Sequence, residues 1–568
     1  MKTIHPLPES LVMKIAAGEV IERPVYAVKE LLENAIDATS DHITITLEDS
    51  GLKKISISDN GIGMSVEDVA ESIKPHSTSK LHEDEDLLNI HTMGFRGEAL
   101  ASIAAVSNLS IKSRRKEDNG GTMIEVHAGE VQELSPIGVP AGTTVTVSNL
   151  FYPVPARKKF LKSKLTEYRL ILDLLSQYTL AFPQIRFTLT HNGKLVFDFP
   201  KTQDITYRMN QVLGDSVVSH MIPVSFSDTY LQISGFITTP QITTKSSQKQ
   251  SLFINNRLIS DRLISLTIKE AYANMLEQSA YPISVLFLSL PFETVDVNVH
   301  PRKEQVSFFN NQVIYDGVKE AIHTTLQKEN ITFHAVPWKN ELHRESEKNK
   351  ITLSLGGKTL KRASKNWSIQ NLGLISTNTD IAQAHKTYLI TSTESGIMLI
   401  DQHAAHERIL YAEFKKEFFS ESKKKKPFIL SEPILFSFTP TETAIVTEYL
   451  PALREWGFEF EPFMDNTFTL RGVPPFFQDR NYQKLIDEVI DTVISSESIK
   501  SIDSLSNKMI TYLSCRAAVK AGDTLSVKQR KMIIETLEQT ENNATCPHGR
   551  PTKVEISVTD LHKLFKRM

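Results

Sequence analysis

Glu30-Leu31-Leu32-Glu33-Asn34-Ala35-Ile36-Asp37-Ala38, followed after two alternating segments by Asp59-Asn60-Gly61-Ile62-Gly63, is where this chain first shows a chemistry. Glu30, Asn34 and Asp37 recur at helical spacing, with Leu31, Leu32, Ala35 and Ile36 between them. Residues 30 and 34 are one turn apart and project from the same side of a helix. A carboxylate and an amide so placed, beside a buried face, can hold a water and a hard cation together. Ile43 to Leu47 and Ile55 to Ser58 each alternate apolar with polar residues, as half-buried strands do. The second run ends at Asp59, where Gly61 and Gly63 permit a tight turn and close backbone approach to a ligand. Taken singly, the pieces also fit an ordinary charged helix and a surface turn.

Working outward, a chain of 568 residues exceeds one core and suggests roughly three to four folding units. At 40% hydrophobic and 23% charged, its composition is that of an ordinary soluble protein. Apolar runs fall well short of the roughly 20 residues a membrane span needs, so no membrane partner is expected. Glu9, Glu19 and Glu22 interrupt the first stretch, which does not read as a signal peptide. Cys515 and Cys546 are the only cysteines, too few for a disulfide framework, and a reduced cytoplasm fits. A net charge of -3 speaks neither for nor against DNA, because nucleic-acid patches are local.

The opening motifs resemble the first two of the GHKL ATPases, the superfamily of DNA gyrase, heat-shock chaperones, histidine kinases and the MutL family. The resemblance implies a GHKL (Bergerat) α/β sandwich that binds ATP with Mg2+. In it the helix glutamate activates the hydrolytic water, the asparagine holds magnesium and the aspartate binds the adenine amino group. By motif those roles fall to Glu30, Asn34 and Asp59, with Gly61 and Gly63 forming the turn.

Residues 5 to 40 read as helix, with Pro24 at the start of the run Val25 to Ala38, where proline costs nothing. Ala16-Ala17-Gly18-Glu19-Val20 resembles a signature of the MutL family that other GHKL proteins lack. His76-Ser77-Thr78-Ser79-Lys80 resembles that family's nucleotide lid, and implies that Lys80 lies at the nucleotide. Gly94-Phe95-Arg96-Gly97 precedes the apolar run Ala101 to Val106. Glycine-spaced amides at a helix start make an anion site, and the family's loop here wraps the phosphates, which assigns Gly94 and Gly97. Gly142-Thr143-Thr144-Val145 matches the last GHKL motif and places Thr143 near the adenine. Arg157, Lys158, Lys159, Lys162 and Lys164 put five cations within eight residues, either a solvated helix face or a phosphate-contacting patch. Arg114-Arg115-Lys116 is a weaker patch, since Glu117 and Asp118 follow.

Alternation near Ile185 to Leu189, Leu231 to Ile237 and Ser251 to Ile254 suggests a second, mixed α/β domain. Phe253-Ile254-Asn255-Asn256-Arg257 resembles a family turn with Asn256 in the glycine slot, which asparagine can fill at positive φ. Val295 to Lys303 resembles the family string whose lysine reaches the γ-phosphate from the second domain, so Lys303 is the expected ATP sensor. Residues 337 to 370 turn polar and read as a flexible connector.

A further domain begins near Gly373, with strands expected at Tyr388 to Ile390 and Ile397 to Ile400. Asp401-Gln402-His403-Ala404-Ala405-His406-Glu407 follows at once. The strand is expected to deliver Asp401 and His403, and the helix after it Glu407. Ser514-Cys515-Arg516 and Cys546-Pro547-His548-Gly549-Arg550-Pro551 lie far along the chain. Cysteine, histidine and carboxylate are ligand types of zinc and similar borderline ions, yet free cysteine is also common as buried packing.

These strings resemble the endonuclease motifs of nicking-type MutL proteins, with Phe565-Lys566-Arg567 as the last. The resemblance implies a C-terminal metal site for Zn2+ and/or Mn2+ carried by Asp401, His403, Glu407, Cys515, Cys546 and His548. Asp401 and Glu407 would be catalytic, with Arg550 and Arg567 as phosphate or structural partners. One departure stands out: the motif's second glutamate falls on Ala412, and neighbouring Glu413 points about 100° away on a regular helix. Lys423 to Lys426 and Phe428 to Pro433 lie where the family carries a sliding-clamp peptide, without its glutamine.

The organisation expected is a GHKL ATPase domain over 1–205, a ribosomal-S5-like α/β transducer over 206–333 and a linker over 334–371. A C-terminal α/β dimerisation and metal-binding domain then covers 372–568, with an inserted subdomain at about 435–505. The function implied is a cytoplasmic, nucleoid-associated DNA mismatch repair homodimer that links mismatch recognition to strand removal and nicks DNA. Its implied partners are DNA, the MutS mismatch-recognition protein, a sliding clamp and a repair helicase. The alternative is an ATP-gated matchmaker that binds metal without cutting. A gyrase-like strand-passage subunit fits poorly with the strings around Gly18 and His300.

Overall fold

A computed structural model describes residues 13–14, 17–18, 20–80, 92–94, 97–276, 280–296, 306–328, 381–419, 427–455, 457–464, 466–474 and 502–567. Lys303, the expected connector, the basic run 423–426, Phe95 and Arg96 lie outside the described residues.

Helix α1 (Pro24–Asp37) buries Val28, Leu31, Leu32 and Ala35 on one side. Arg23 before it is extended, at φ -143 and ψ 159, the conformation a following proline imposes through its ring. The long helix expected over 5–40 is therefore broken: Ile21 to Arg23 are not helical. Strands β1 (His42–Glu48) and β2 (Lys54–Asp59) pair antiparallel with Ile45 opposite Ile57. Their alternate isoleucines join Leu31 and Leu32 in one core. Each such buried side chain contributes about 1.5–3 kcal/mol.

Beyond β2 come α2 (Val66–Glu71), α3 (Ala99–Ala105), β3 (Asn108–Arg114), β4 (Gly121–His127), β5 (Glu130–Ile137) and β6 (Gly142–Ser148). Then follow α4 (Lys164–Ala181), β7 (Arg186–His191) and β8 (Lys194–Phe199). The strands form one eight-stranded sheet in the order β5-β4-β3-β6-β2-β1-β7-β8, with α1 against β2 and α4. β7 runs parallel to β1. The alternation near Ile185 thus belongs to this first sheet, inside the 1–205 unit, and not with the second-domain segments it was grouped with.

A second sheet has five strands: β9 (Met221–Ser227), β10 (Gln232–Thr238), β11 (Gln250–Ile254), β12 (Arg257–Ile259) and β13 (Ser284–Ser289). Their order is β12-β11-β13-β10-β9. α5 (Arg262–Ala271) and α6 (Asn311–Lys328) pack together over it, burying Ile264, Ile268, Val318 and Ile322.

The C-terminal region has a four-stranded sheet of β14 (Ala382–Ala384), β15 (Tyr388–Ser392), β16 (Gly396–Asp401) and a late strand, Lys553–Ser557. α7 (Gln402–Phe419) follows β16 directly. A three-stranded sheet is built from β17 (Phe428–Ser437), β18 (Glu459–Met464) and β19 (Thr467–Val473), with α8 (Pro440–Glu455) beside it. α9 (Ile502–Ala517) and α10 (Val527–Glu538) both pack on α7. No helix among the described residues is long and apolar enough to cross a membrane.

Candidate functional site

α1 and the end of β2 build the first site. The register places Asp59 opposite Thr143 of β6, and the Asp59 carboxylate accepts the Gly61 N–H at 2.9 Å. Burial outweighs the backbone N–H groups of Gly61 and Thr143 and pushes the Asp59 carboxyl up to about 6. Ser113 Oγ lies 2.8 Å from Thr143 Oγ1 and accepts from Met64 N–H at 2.9 Å, which ties the turn after Gly63 to β3 and β6. Gly142 at φ 116 packs its Cα against the Asp59 carbonyl, where a Cβ would overlap it. Strand pairing therefore holds the carboxylate, the threonine and both glycines of the turn in one place.

The second part of this site gathers on Asp37. Its carboxylate accepts the backbone N–H groups of Met93 and Gly94, each at 3.0 Å, and the Lys80 ammonium at 2.6 Å. The same ammonium donates to Asn34 Oδ1 at 3.0 Å. Asn34 thus aims its oxygen at a position that already holds a cation, and the donor set of Asn34 and Asp37 fits Mg2+. Glu30, on the same helix, is 7% exposed. Gly97, at φ 63, packs against the Ser77 backbone, so the Gly94 loop and the 76–80 segment are in contact.

Asp37 is the organiser that the motif roles passed over, although it shares the helical spacing of Glu30 and Asn34. Two more residues were given no role, although Arg257 ends the Phe253–Arg257 string. Tyr178 of α4 donates to Glu33 at 2.6 Å in a buried contact. Arg257 of β12 donates to the Thr92 carbonyl from the second sheet.

The C-terminal strings also converge. His403, Glu407 and Cys515 form one group whose ligand atoms lie within 4.8 Å of one another, and Glu407, Cys546 and His548 form another. Glu407 belongs to both and is 2% exposed. Its Oε1 is enclosed and accepts no well-formed hydrogen bond, although His548 Nδ1 lies 2.7 Å away. A buried carboxylate so placed, with thiol and imidazole donors, fits a divalent borderline ion. Burial is also the main influence holding the Cys546 thiol above its usual range, and a bound metal would displace that proton.

Local geometry explains the delivery. His403 lies on α7 rather than on the strand, so it and Glu407 stand one turn apart on the same face. Cys546 and His548 sit in a tight turn closed by Gly549 N–H to the Cys546 carbonyl at 2.9 Å, with Gly549 at φ 83. His406, three residues after His403, is a different kind of histidine. It accepts the Val519 N–H at 3.0 Å, and burial pulls it down to about 4, so its ring is neutral packing.

Asp401 is a member of neither group. Its Oδ1 accepts the N–H of His403 at 2.9 Å and of Ala404 at 3.0 Å, which caps the start of α7. Five of the six expected ligands are therefore brought together, and the sixth holds the helix that carries two of them. α7 runs without interruption past Ala412, and Glu413 joins neither group.

Three segments of the chain match known families. Residues 22–142 match the family described as histidine kinase-, DNA gyrase B- and HSP90-like ATPase. Residues 209–327 match the DNA mismatch repair protein C-terminal domain, and 381–525 the MutL C-terminal dimerisation domain. The chain is similar to the DNA mismatch repair protein MutL of Exiguobacterium sp., 32% identical with 100% of each chain covered. It is likewise similar to that of Koribacter versatilis, 30% identical with 100% of each covered. Among solved structures, the N-terminal domain of a DNA repair protein matches 56% of this chain and 99% of its own, at 25% identity and TM-score 0.50.

Fold and site together define a GHKL-type ATPase joined through a mixed α/β domain to a metal-capable dimerisation domain. The chain belongs to the MutL family of DNA mismatch repair proteins. Its N-terminal site is an ATP site of the GHKL type.

Proposed function

We propose that two copies of this chain act as an ATP-gated clamp in DNA mismatch repair, and that each also nicks DNA through its C-terminal site. The ATP half rests on the gathering of Asn34, Asp37, Lys80 and Gly94 around one cation position. In this reading Asp59 accepts the adenine amino group and Thr143 supports it from the neighbouring strand. Asn34 holds Mg2+, Gly94 and Gly97 offer backbone N–H groups to the phosphates, and Glu30 takes a proton from the attacking water. Lys303 reports the γ-phosphate from the second domain. ATP binding closes the dimer on DNA and hydrolysis reopens it.

The nicking half rests on Glu407, the carboxylate common to both metal-capable groups. Zn2+ or Mn2+ bound there would supply a Lewis acid and a water of lowered pKa. His403, Glu407, Cys515, Cys546 and His548 would hold it, while Asp401 fixes the start of α7 and Arg550 and Arg567 meet DNA phosphate. MutS, a sliding clamp and a repair helicase are the proposed protein partners, in the cytoplasm at the nucleoid. The second reading, a matchmaker that binds metal without cutting, is favoured by Ala412 and by the place of Asp401 outside both groups.

The deciding experiment is nicking of supercoiled plasmid with Mn2+ by the full chain, its Glu407→Gln variant and its Glu30→Ala variant. Nicking that persists in Glu30→Ala and is lost in Glu407→Gln, with ATPase behaving in the opposite way, supports two separate centres. Absence of nicking in the parent chain with clamp added, while ATPase continues, leaves the matchmaker.

A further inference from the structure

The turn between β11 and β12 has one residue that neither the adenine site nor the metal site uses. Asn255 and Asn256 both take positive φ, 48 and 66, and Ile254 pairs with Arg257 across the turn. That is the two-residue hairpin whose twist matches its strands, and it requires residues tolerant of the left-handed region. Asn255 is locked further. Its side chain donates to the Leu290 carbonyl and accepts the Leu290 N–H, each at 3.0 Å, and its own N–H meets the Leu288 carbonyl. The first residue of β12 is thus aimed by a rigid support.

That residue is Arg257. It is 7% exposed, and its guanidinium leaves the second sheet to donate to the carbonyl of Thr92 in the first domain. Burial holds the guanidinium below its usual range, and the nearby Glu33, Asp37, Tyr178 and Glu30 oppose this only in part. Thr92 is not a neutral landing place. Its hydroxyl donates to the Gly94 carbonyl at 2.6 Å, and the next two backbone N–H groups, of Met93 and Gly94, donate to the Asp37 carboxylate. Residues 92–94 are therefore gripped from two sides, by Asp37 of α1 and by Arg257 of the second domain.

We infer that Arg257 is a positioning residue for ATP hydrolysis, holding the entrance of the Gly94 phosphate loop only while the second domain is docked. This rests on the ATPase reading above. The guanidinium touches the backbone carbonyl of Thr92, and through that contact it acts on the loop. Loss of the contact lets residues 92–94 shift by a fraction of an ångström relative to Asn34. Misplacement on that scale costs turnover more than binding.

The test is steady-state ATPase of the full chain as parent, Arg257→Gln and Arg257→Lys, with ADP affinity and thermal midpoint measured for each. Arg257→Gln is expected to lower kcat by about tenfold or more while ADP affinity stays within about threefold. Arg257→Lys, which keeps a cationic donor, is expected to recover part of the lost kcat. Native kcat in a folded Arg257→Gln overturns the inference. So does a lysine variant no faster than the glutamine one, or a loss of kcat matched by equal losses of ADP affinity and melting temperature. A parent chain without ATP turnover overturns both this inference and the ATPase reading; a parent that turns over ATP with an indifferent Arg257 overturns this inference alone.

Discussion

His403 Nδ1 lies 2.9 Å from the carbonyl oxygen of Val519, which leaves Nε2 as the nitrogen able to ligate. Holding the outer ring nitrogen in this way fixes tautomer and ring orientation, the usual support of a metal-bound histidine. Val519 also gives its N–H to His406, so one residue orients two histidines of opposite use. Metal content after dialysis is the direct check. The parent chain should retain Zn2+ or Mn2+, Glu407→Gln and Cys546→Ser should lose it, and ATPase should be unchanged in both variants. Equal metal content in all three would remove the site.

Nucleotide binding should depend on pH through Asp59. Its carboxyl titrates near 6, above its unfolded value, because burial disfavours the charge. The stability it contributes is therefore full below the unfolded value and lost as pH rises through about 6. The adenine amino group needs the ionised form, so binding runs the other way. ADP affinity should weaken by about tenfold per pH unit below 6 and level off above it. Calorimetric titration between pH 5 and 8 measures this, and an Asp59→Asn variant with the same slope would assign it elsewhere.

Tyr178→Phe tests the buried link between α4 and α1. The phenol donates to Glu33 at 2.6 Å, and Glu33 is 4% exposed. Removing the donor should cost about 1–3 kcal/mol, since a buried carboxylate loses a partner while the ring stays in place. Urea unfolding gives the number; an unchanged midpoint would show that Glu33 is satisfied without the phenol.

Gly142→Ala should harm both folding and nucleotide binding. At φ 116 an L side chain is strained, and the new Cβ would overlap the Asp59 carbonyl. A cost of about 1–3 kcal/mol is expected from the backbone alone. ADP affinity should fall with it, because the displaced atoms belong to Asp59. A variant that melts lower but binds ADP normally would separate strain from site.

Much of this was legible in the chain itself. The period of α1, the alternation of β1 and β2 and the turn chemistry of Asp59 to Gly63 are local properties, and each is found where its residues place it. Asn256 in the glycine slot is legible for the same reason, since only its own φ is at stake. Proline at 24 was read as a helix start, yet its effect on Arg23 ends any continuous helix before it. The strand near Ile185 was grouped with second-domain segments, although it lies within 1–205, because alternation states that a strand exists, not which neighbour it pairs with.

The sequence by itself determined the ligand types, the order of the motifs and the helical spacing of Glu30, Asn34 and Asp37, because these depend only on residue identity and local geometry. Tertiary structure alone decided that Glu407 faces both Cys515 and Cys546, that Asp401 caps α7, and that Arg257 reaches Thr92. It also decided that Arg208, fully buried, gives its guanidinium to the carbonyls of Thr179, Pro183, Ile185 and Pro200. A long polar side chain can satisfy many partners, and which one it meets is set by the packing that desolvates it.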